Sequence, residues 1–404
     1  MYRRGGESSS SRTGAPLEAP LDRARPDGTP LRTGFTTGAN AAAAAVAAAR
    51  TALGLGLERW EGPLPELTAD RYDTVAGAVY IPLPSGAYNR FPVRVAERRG
   101  DAGYASVIKD GGDDPDCTHR AELWALVRPT EQPGVTLHRG EGVGLVTKPG
   151  LGLPVGGPAI NPVPRQHITA LLEELLEPGG AEVTLGITDG VALSARTLNA
   201  RLGIVEGLSI LGTTGIVHPY STAAFRASVA QAIDVARSLG VEHIVLTTGG
   251  RTERFAMELH PELPEAAFVQ MGDFVGFALD HAARHGARII TLAGMVGKLS
   301  KMADGRTMTH AAGSEVHTHL LAEIAAGVGA TATLQEHIRG ANTARHVQEL
   351  IVEAGLLGFF DALCERVAVV LGDHLAARHA DPPALRVVLT DFSGPALGSY
   401  PHAA

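Results

Sequence analysis

The sequence predicts an α/β protein in which an α+β N-terminal domain precedes a Rossmann-like parallel α/β layer. Three stretches each run from a short apolar strand into a glycine-containing loop: 208–211 into 212–215, 244–246 into 247–250, and 289–292 into 293–294. Amphipathic helices are predicted between them, at 223–239 and 274–285. Strand, loop and helix in repetition are typical of a parallel sheet that binds its ligand at the carboxyl ends of the strands.

The length of the chain, 404 residues, exceeds one ordinary core, so two or three domains are expected. Residues 1–30 are rich in Ser, Gly, Pro and Arg and lack an apolar run, which predicts a disordered extension and no signal peptide. The rest divides into an α+β domain over 31–200 with Gly/Pro-rich loops, the Rossmann-like domain over 201–312, and a helical segment over 313–404. We expect that last segment to contain a terminal strand at 385–390 and to pack on the preceding domains.

Composition excludes several classes of protein. No window reaches the ~18 apolar residues that a membrane-spanning helix needs. The formal net charge of −8 argues against a nucleic-acid partner, because such proteins usually carry a basic surface. Cys117 and Cys364 lie far apart in the sequence and cannot form a disulfide framework or a CxxC metal motif. We therefore expect a cytoplasmic protein with no membrane or nucleic-acid partner, and the sequence leaves a homo-oligomer open.

A Gly- and Thr-rich loop is predicted to lead into an alanine-rich helix over residues 31–49. Thr36, Thr37 and Gly38 stand at the amino end of that helix, where free N–H groups can bind an anion. An ordinary N-cap needs only one Ser or Thr. A ligand-binding role for the two threonines and a simple capping role therefore both stay open.

Residues 105–119 predict a short strand that ends in an acidic loop. Lys109 and Asp110 close the strand, and two glycines and three more carboxylates follow, Asp113, Asp114 and Asp116. Four carboxylates so close together repel one another unless cations or hydrogen-bond donors lie among them. A Mg²⁺ or Ca²⁺ site is one solution, but the EF-hand spacing is absent. We favour a loop whose carboxylates accept N–H bonds from a ligand or from the backbone, and we expect no protein-bound metal.

Residues 140–165 contain seven glycines and five prolines, which excludes a regular helix or a central strand. We expect an ordered loop over a ligand cleft, to which Lys148, Asn161 and Arg165 contribute polar groups. A structural crossover between domains is the alternative. An amphipathic helix is predicted next, over 166–177, and a strand over 181–187.

Only four of the 35 cationic residues are lysines: Lys109, Lys148, Lys298 and Lys301. Against such a strong arginine bias, each lysine is a candidate for a position that needs a compact ammonium, although chance and solvated surface remain the alternative. The run 293–305 superficially suggests a P-loop, but it lacks the spacing and the adjacent Lys-Ser pair. His310, His317 and His319 do not predict zinc, because i,i+2 histidines diverge on a helix and no fourth ligand is near.

Taken together, these stretches resemble the cobalt-precorrin-5B C1-methyltransferases of anaerobic cobalamin biosynthesis. The matching stretches include LRTGFTTGA at 31–39, VIKDGGDDPD at 107–116, GEGVGLVTKPGL at 140–151, LNARLGIVEGLSILGTTGIVHPYS at 198–221, LTTGGR at 246–251 and GKLSKMADG at 297–305. The chain departs from the family pattern at Asn40, where members usually carry Cys, and at Val46, where a Lys often stands. An obligatory thiol at position 40 is therefore excluded.

The resemblance implies methyl transfer from S-adenosylmethionine to ring carbon C1 of cobalt-precorrin-5B, which gives cobalt-precorrin-6A. The tetrapyrrole is then the small-molecule partner, with 31–200 on the acceptor side and 201–312 binding the donor. The expected donor-binding residues are Gly212, Thr213, Thr214, Gly215, Thr248, Gly249 and Gly250. The expected substrate-binding residues are Thr36, Thr37, Lys109, Lys148, Asn161, Arg165 and Lys298. The expected catalytic residues, which relieve the proton released from the methylated ring, are Asp110, Asp114 and His119.

Two other classes of protein remain open from the residues alone. A nicotinamide-dependent reductase would also use a strand–loop–helix layer, although no G-x-G-x-x-G follows a strand here. A non-catalytic carrier of a tetrapyrrole would need the same contacts to acidic groups without a donor pocket.

Overall fold

The structure is a computed structural model that describes residues 28–64, 69–309 and 317–401. The extension predicted over residues 1–30 lies outside the described residues as far as residue 27, and His310 also lies outside them. Within the described ranges, no helix is long and apolar enough to cross a membrane.

The first half of the chain builds one core around an alanine-rich helix and an antiparallel sheet. Its elements in chain order are β1 (Gly34–Phe35), α1 (Thr37–Ala52), β2 (Gly77–Pro82), β3 (Tyr88–Val93), β4 (Val95–Arg99), β5 (Ala102–Ile108), β6 (Glu122–Thr130), β7 (Gly134–Arg139), β8 (Leu145–Val146), α2 (Pro162–Leu176), β9 (Gly180–Ile187), α3 (Gly190–Ser194), β10 (Ile204–Val205) and β11 (Ile216–Val217).

Helix α1 consists mostly of alanine and lies inside this core. The Thr36 side chain accepts a hydrogen bond from the Ala39 N–H at 3.2 Å and so caps the helix. Because its side chains are small, neighbouring backbone approaches closely. A Cβ atom placed on Gly103 of β5 would lie 2.0 Å from the carbonyl oxygen of Ala48. Helix α1 and strand β5 therefore touch through their backbones.

A five-stranded sheet in the order β4-β5-β6-β9-β7 packs on α1. Neighbouring strands are antiparallel except β7 and β9, which run parallel. Strands β2 and β3 form a separate hairpin through a turn at 84–86. Strands β1 and β11 pair with each other beside α1, with Gly34 opposite Val217. This last pair brings the start of the core next to its end.

The second half of the chain builds a parallel sheet with helices on both faces. Its elements are α4 (Thr222–Ser238), β12 (His243–Thr247), α5 (Gly250–Leu259), β13 (Phe268–Gln270), α6 (Val275–Arg284), β14 (Ile289–Gly294), α7 (Val296–Ala303), α8 (Thr318–Gly327), α9 (Ala332–Arg339), α10 (Ala344–Glu353), α11 (Gly358–Ala376), β15 (Ala384–Thr390) and β16 (Ala396–Tyr400). Short 3₁₀ turns lie at Ala69–Arg71 and Glu265–Ala267.

The sheet has the order β13-β12-β14-β15-β16, and its first four strands are parallel. Ile244 and Leu292 point to the face covered by α6, α7 and α11. Val245 and Ala293 point to the opposite face, which α5 covers. The chain therefore leaves β12 and β14 towards opposite faces, and the crevice where such connections diverge is the usual ligand position in these sheets.

The structure confirms the α/β class and the parallel layer. Predicted strands at 244–246 and 289–292 correspond to β12 and β14, and predicted helices at 223–239 and 274–285 correspond to α4 and α6. The C-terminal segment, predicted as helical over 313–404, contains helices α8 to α11 in its described part. Division of the chain into domains at residues 201 and 313 stays a prediction.

The prediction for residues 208–211 was wrong. They do not join the parallel sheet, because Leu208 and Ile210 make isolated bridges to Val143 and Ile160 and are buried in the first core. An apolar run of this length has the same pattern in any buried extended segment, so periodicity could not assign it to one sheet or the other.

Two boundaries also differ from the prediction. Helix α2 starts at Pro162, four residues before the predicted start at 166, because proline is well tolerated in the first turn of a helix. Strand β15 is not terminal, since the chain turns back and β16 pairs with it antiparallel. In β16, Gly398 permits a close approach: a Cβ atom placed there would lie 2.5 Å from the carbonyl carbon of Phe360.

Replacing Gly103 by Ala should destabilise the first core. The added methyl group must displace α1, and overpacking of this kind costs about 1–3 kcal/mol or more. The measurement is the free energy of unfolding of the first core, from denaturant unfolding followed by tryptophan fluorescence and circular dichroism. Gly56→Ala is the matched control, because a Cβ atom there meets nothing within 4 Å. Equal stability of the two variants would contradict the close contact between β5 and α1.

Candidate functional site

The acidic loop, residues 109–120, lies between β5 and β6 and packs against the start of the chain. The Phe35 N–H donates to the Asp110 carbonyl oxygen at 2.7 Å, which fixes β1 along the loop. A Cβ atom placed on Gly34 would lie 2.1 Å from the carbonyl carbon of Gly111. Gly112 has φ +67°, and a Cβ atom placed there would lie 2.3 Å from the carbonyl oxygen of Arg32. Glycines are therefore required at this crossing by contact, without any ligand.

Asp110 is held by the arginine that precedes β1. Its carboxylate accepts hydrogen bonds from both terminal nitrogens of Arg32, one of them at 2.8 Å, and from the Gly112 N–H at 3.0 Å. Burial raises the pKa of Asp110, but the hydrogen bonds from Arg32 and Gly112 outweigh it and hold this pKa below its ordinary value. Asp110 is therefore an ionised anchor of the loop.

Lys109 and Asp116 form a second internal pair. The Lys109 side chain is 1% exposed, and its ammonium donates to Asp116 at 3.0 Å. Asp116 also accepts the hydroxyl and the N–H of Thr118. Burial raises the pKa of Asp116, while the Lys109 charge and the Thr118 bonds lower it more. This geometry gives Lys109 a structural partner, and its contact with a substrate stays a prediction.

Asp114 joins the acidic loop to the segment that leads into the second core. It accepts the Tyr220 N–H at 3.0 Å, and Tyr220 lies two residues before α4. Burial raises the pKa of Asp114, the Tyr220 bond lowers it, and the Asp116 charge raises it, with a net increase. Asp114 is thus the carboxylate of this loop with a raised pKa and no cation bonded to it among the described residues.

His119 is oriented by the loop backbone. The Gly111 N–H donates to Nδ1 of His119 at 2.9 Å, so that nitrogen carries no proton and the neutral ring bears its hydrogen on Nε2. Burial lowers the pKa of His119, the Asp110 charge opposes this, and the Lys109 and Arg32 charges add to it. His119 is therefore set up as a neutral hydrogen-bond donor at Nε2.

The predicted loop at Gly212, Thr213, Thr214 and Gly215 lies at the amino end of α1. The Thr36 N–H donates to the Gly215 carbonyl oxygen at 3.0 Å, and the Gly38 N–H donates to that of Leu211 at 2.9 Å. The Thr37 hydroxyl accepts the Leu211 N–H at 2.9 Å. Both threonine side chains are buried, so these contacts give them structural roles. Their contact with a substrate stays a prediction.

The other predicted donor loop, Thr248 to Gly250, follows β12 at the carboxyl edge of the parallel sheet. It leads into α5, whose first residue is Gly250, and the Thr248 hydroxyl lies 3.3 Å from that of Thr252 in the first turn. Across the crevice, a Cβ atom placed on Gly294 of β14 would lie 3.5 Å from the Thr248 side chain. No hydrogen bond or ion pair joins this loop to Gly212–Gly215 in the described parts of the chain.

Arg201 connects the two halves of the protein. Its guanidinium donates to Glu253 of α5 at 2.8 Å and to the Phe268 carbonyl oxygen at 2.7 Å. Glu253 also accepts the side chain of Gln270 at 2.7 Å. The ammonium of Lys148 donates to the Arg201 carbonyl oxygen at 2.9 Å. Lys148 therefore supports the junction through the backbone of Arg201.

An apolar cleft lies at this junction, between the segment 198–202, helix α4 and strand β13. Its lining includes Leu202, Phe225 and Gln270. The ring of Phe225 packs on that of Phe274, which lies in the loop after β13, and the ring centroids are 5.4 Å apart. Phe225 belongs to α4, which begins two residues after Tyr220, and the Tyr220 N–H is bonded to Asp114 of the acidic loop. One continuous segment therefore borders both the acidic loop and the carboxyl edge of the sheet.

The remaining predicted residues have different surroundings. Asn161 caps α2 without a side-chain hydrogen bond, and its N–H donates to the Ile210 carbonyl oxygen at 2.9 Å. Arg165, in the first turn of α2, is half-buried and has no ion-pair or hydrogen-bond partner for its guanidinium among the described residues. Lys298 is paired with Asp273 and donates to the Thr309 carbonyl oxygen at 3.1 Å.

Sequence reasoning missed Arg32, Tyr220 and Glu253. The four clustered carboxylates pointed to a cationic partner. Arg32 lies in the Gly- and Thr-rich stretch before α1, but no sequence spacing connects it with the acidic loop. Tyr220 contributes its backbone N–H, which has no sequence signal. Glu253 could have been suspected, because an acid in the first turn after a glycine-rich loop sits at a helix amino end.

Replacing Asp110 by Asn should lower the free energy of unfolding at neutral pH by about 1–2 kcal/mol, because Arg32 loses its anion while remaining partly exposed. The folded pKa of Asp110 is depressed, so its stabilisation is present above the ordinary Asp pKa of about 3.9 and is lost as the pH falls through the folded value. Denaturant unfolding at neutral and acidic pH measures this. The deficit of the variant should therefore shrink in acid.

Asp101→Asn is the control for this prediction. Asp101 pairs with Arg128 in the same kind of contact, but both side chains are largely exposed. Its removal should change stability little. If the two variants lose the same stability, or if the deficit of Asp110→Asn does not depend on pH, the description of Asp110 as a buried, ionised anchor of the loop is wrong.

Two family models match the chain: CbiD over residues 24–219, and the C-terminal domain of CbiD over residues 308–401. A curated relative from Polaromonas naphthalenivorans (strain CJ2), a cobalt-precorrin-5B C(1)-methyltransferase, is 50% identical over 388 residues, which cover 94% of this chain and all of that protein. The protein of the same name from Thermus thermophilus is 49% identical over 371 residues, 92% of this chain and 94% of the relative.

A solved structure of the cobalamin biosynthesis protein CbiD from Archaeoglobus fulgidus is 23% identical, with a TM-score of 0.35, over 81% of this chain and 86% of that one. The sequence relatives cover nearly the full length, and about half of the aligned residues are identical. The chain therefore belongs to the CbiD family of cobalt-precorrin-5B C(1)-methyltransferases.

Proposed function

We propose that the protein transfers a methyl group from S-adenosylmethionine to ring carbon C1 of cobalt-precorrin-5B, a step of cobalamin biosynthesis. Relatives that match nearly the whole chain and carry this activity in their names support the reaction. The observation that carries our placement of the site is the hydrogen bond from Tyr220 to Asp114. It ties the acidic loop to the segment that enters the parallel sheet.

The donor site that we propose is the turn of Thr248, Gly249 and Gly250. Among the described residues, a Cβ atom placed on Gly249 would meet nothing within 4 Å, and one placed on Gly250 would meet only the Gln270 side chain, at 3.6 Å. The backbone of this turn is thus free to touch a ligand at the edge where parallel sheets bind them. When bound, the donor supplies a methyl carbon on a positively charged sulfur, which departs as a neutral thioether.

The glycines of the other predicted donor loop have internal explanations. A Cβ atom placed on Gly212 would lie 2.4 Å from Thr36, and Gly215 has φ +83° with Leu83 and Pro84 about it. Close packing and positive φ require glycine at both positions whether or not a ligand binds. Donor contact by Gly212, Thr213, Thr214 and Gly215 stays a prediction, and we favour an acceptor-side location for this loop because β1 lies between it and the acidic loop.

The work of the protein in such a reaction is alignment and exclusion of water. Holding the methyl carbon in line with the ring carbon is worth up to about 7–11 kcal/mol when the geometry is tight. Binding of the acceptor carboxylates requires cations with free hydrogen-bonding capacity. The guanidinium of Arg165 has that capacity, whereas the ammonium groups of Lys109 and Lys298 are committed to carboxylates.

An acceptor that gains a methyl cation and keeps its overall charge must lose a proton. Asp114 is our proposed acceptor for it, since its raised pKa makes it a stronger base than an ordinary carboxylate. Asp110 is bound by Arg32, and the free nitrogen of His119 already carries a hydrogen. We therefore propose that Asp110 anchors the loop and that His119 donates a hydrogen bond. Both residues lie close to Asp114 in the sequence of the loop.

The two other classes of protein are less well supported. A nicotinamide-dependent reductase would place a G-x-G-x-x-G turn after a strand, and the residues after β12 read Thr-Gly-Gly. A tetrapyrrole carrier would not need the open turn at Gly249. The names of the relatives also favour a transferase.

Replacing Gly249 by Val should weaken the binding of S-adenosylhomocysteine by at least about tenfold, because the side chain fills the space beside the turn. The φ of Gly249 is 162°, an extended conformation that valine adopts, so the fold should persist. Isothermal titration calorimetry measures the affinity, and circular dichroism checks the fold.

Gly56→Val is the control for the donor site, since Gly56 lies in an exposed loop with nothing within 4 Å of an added Cβ. It should bind the ligand like the wild type. Unchanged affinity of Gly249→Val would exclude this turn as the donor site. Wild-type binding of a reduced nicotinamide in place of S-adenosylhomocysteine would exclude the proposed reaction itself.

Replacing Asp114 by Asn should lower kcat by roughly 10²–10⁴-fold if the carboxylate takes the proton. The amide oxygen still accepts the Tyr220 N–H, so the loop keeps its shape. In the wild type, kcat should rise with pH through the raised pKa of Asp114, and the variant should lose that limb of the profile. Steady-state methyl transfer across pH is the measurement.

Asp113→Asn is the matched control from the same loop. Asp113 accepts the Arg32 backbone N–H at 2.6 Å, a contact that the amide can retain. Its kcat and pH profile should stay close to those of the wild type. A normal kcat for Asp114→Asn would show that Asp114 only anchors the loop.

A further inference from the structure

Outside the site described above, three potential metal ligands meet between helices α4 and α6. Nε2 of His281 lies 2.7 Å from Oδ1 of Asp234, and Nε2 of His285 lies 3.7 Å from the same oxygen. Within the described residues, this is the group of His, Cys, Asp or Glu whose three ligand atoms all lie within 4.8 Å of one another. We propose that Asp234, His281 and His285 bind a divalent transition-metal ion of the zinc type.

The distances between the ligand atoms suit tetrahedral coordination. Metal–nitrogen and metal–oxygen bonds of about 2.0–2.2 Å place neighbouring ligand atoms roughly 3.3–3.5 Å apart. The two distances to Asp234 lie on either side of this value. We expect rotations of the His281 and His285 rings to bring the three ligand atoms to this separation. His285 is about half exposed, which leaves a fourth position open to water.

The ring of His285 is also held in a way that suits a metal ligand. His281 and His285 are one helical turn apart and stack, with ring centroids 4.1 Å apart and planes 25° apart. Nδ1 of His285 donates to the carbonyl oxygen of His281 at 2.8 Å. That bond fixes the hydrogen on Nδ1, so Nε2, which lies 3.7 Å from the Asp234 oxygen, carries the lone pair. Metal-binding histidines almost always donate their second nitrogen in this way.

A neighbouring group of similar composition differs in geometry. Asp280 lies 3.2 Å from His374 and 3.3 Å from His379, so both rings are at hydrogen-bond distance from one oxygen. The contact of His285 with Asp234, at 3.7 Å, is too long for a hydrogen bond. At Asp234, the ring of His285 is close to an oxygen to which it is not bonded, which leaves its Nε2 available to an ion.

An ion at this site would fasten α4 to α6, and α4 carries the junction between the two cores. A Cβ atom placed on Gly150 would lie 2.8 Å from the Asp234 carbonyl oxygen, so the Gly/Pro-rich loop rests on α4 at the proposed ligand. Phe225 of the same helix lines the apolar cleft. The role we assign is structural, and it departs from the sequence-based expectation that the protein binds no metal.

The test uses tag-free, full-length protein that has been stripped with a chelator and dialysed. Titration with Zn²⁺ in a calorimeter, and with Co²⁺ followed by visible d–d absorption, should give one ion per chain. Zn²⁺ should also raise the melting temperature. His285→Ala and Asp234→Asn should each weaken binding by at least about tenfold and abolish the rise in melting temperature.

Two controls make the result specific. His346→Ala removes an exposed histidine of α10 and should bind the ion like the wild type. His374→Ala tests the neighbouring group and should also leave binding unchanged. His285 is exposed enough that its alanine variant should melt like the wild type without metal. The proposal is overturned if the stripped wild type binds no ion, or if His285→Ala and Asp234→Asn bind it as tightly as the wild type.

Discussion

The backbone contact between α1 and β5 is the constraint on which the first half of the protein depends. A helix of larger side chains would hold β5 several ångströms away, and Gly103 allows the strand to reach the carbonyl oxygen of Ala48. Strand β5 runs directly into the acidic loop, and α1 begins beside the loop at residues 212–215. The spacing of helix and strand thus sets the separation of the two loops that flank β1. The alanines of α1 therefore allow β5 to approach closely, in addition to their high helix propensity.

The acidic loop shows how four neighbouring carboxylates become compatible. Each accepts a hydrogen bond from a different group: the Arg32 guanidinium for Asp110, the Arg32 backbone N–H for Asp113, the Tyr220 backbone N–H for Asp114, and the Lys109 ammonium for Asp116. Two partners are cations and two are neutral donors. Neutral donors offset burial less than cations do. The carboxyl pKa of Asp114 therefore lies above its ordinary value, whereas those of Asp110 and Asp116 lie below it.

The sequence predicted the parallel layer because residues 244–250 and 289–294 combine buried-strand composition with glycine-containing turns. It could not place residues 208–211, since an apolar run carries no record of the strand that it pairs with. Within the site, the sequence singled out Asp110 and Asp114 but not their partners. Arg32 is 78 residues away and Tyr220 donates through its backbone, and neither relation leaves a local pattern. Gly212 and Gly249 look alike in sequence, and only their surroundings separate a packed glycine from an open one.

The parallel sheet draws its fourth and fifth strands from residues 384–400, far along the chain from β14, which they complete. The first core, in contrast, uses the continuous stretch 34–217 and can form as soon as that stretch has left the ribosome. During synthesis of α7 to α11, β14 therefore pairs with β12 on one side and has an unpaired edge on the other, the kind of edge that promotes association between chains. Because of this order of elements along the chain, the second half depends more than the first on protection from association with other chains while it folds.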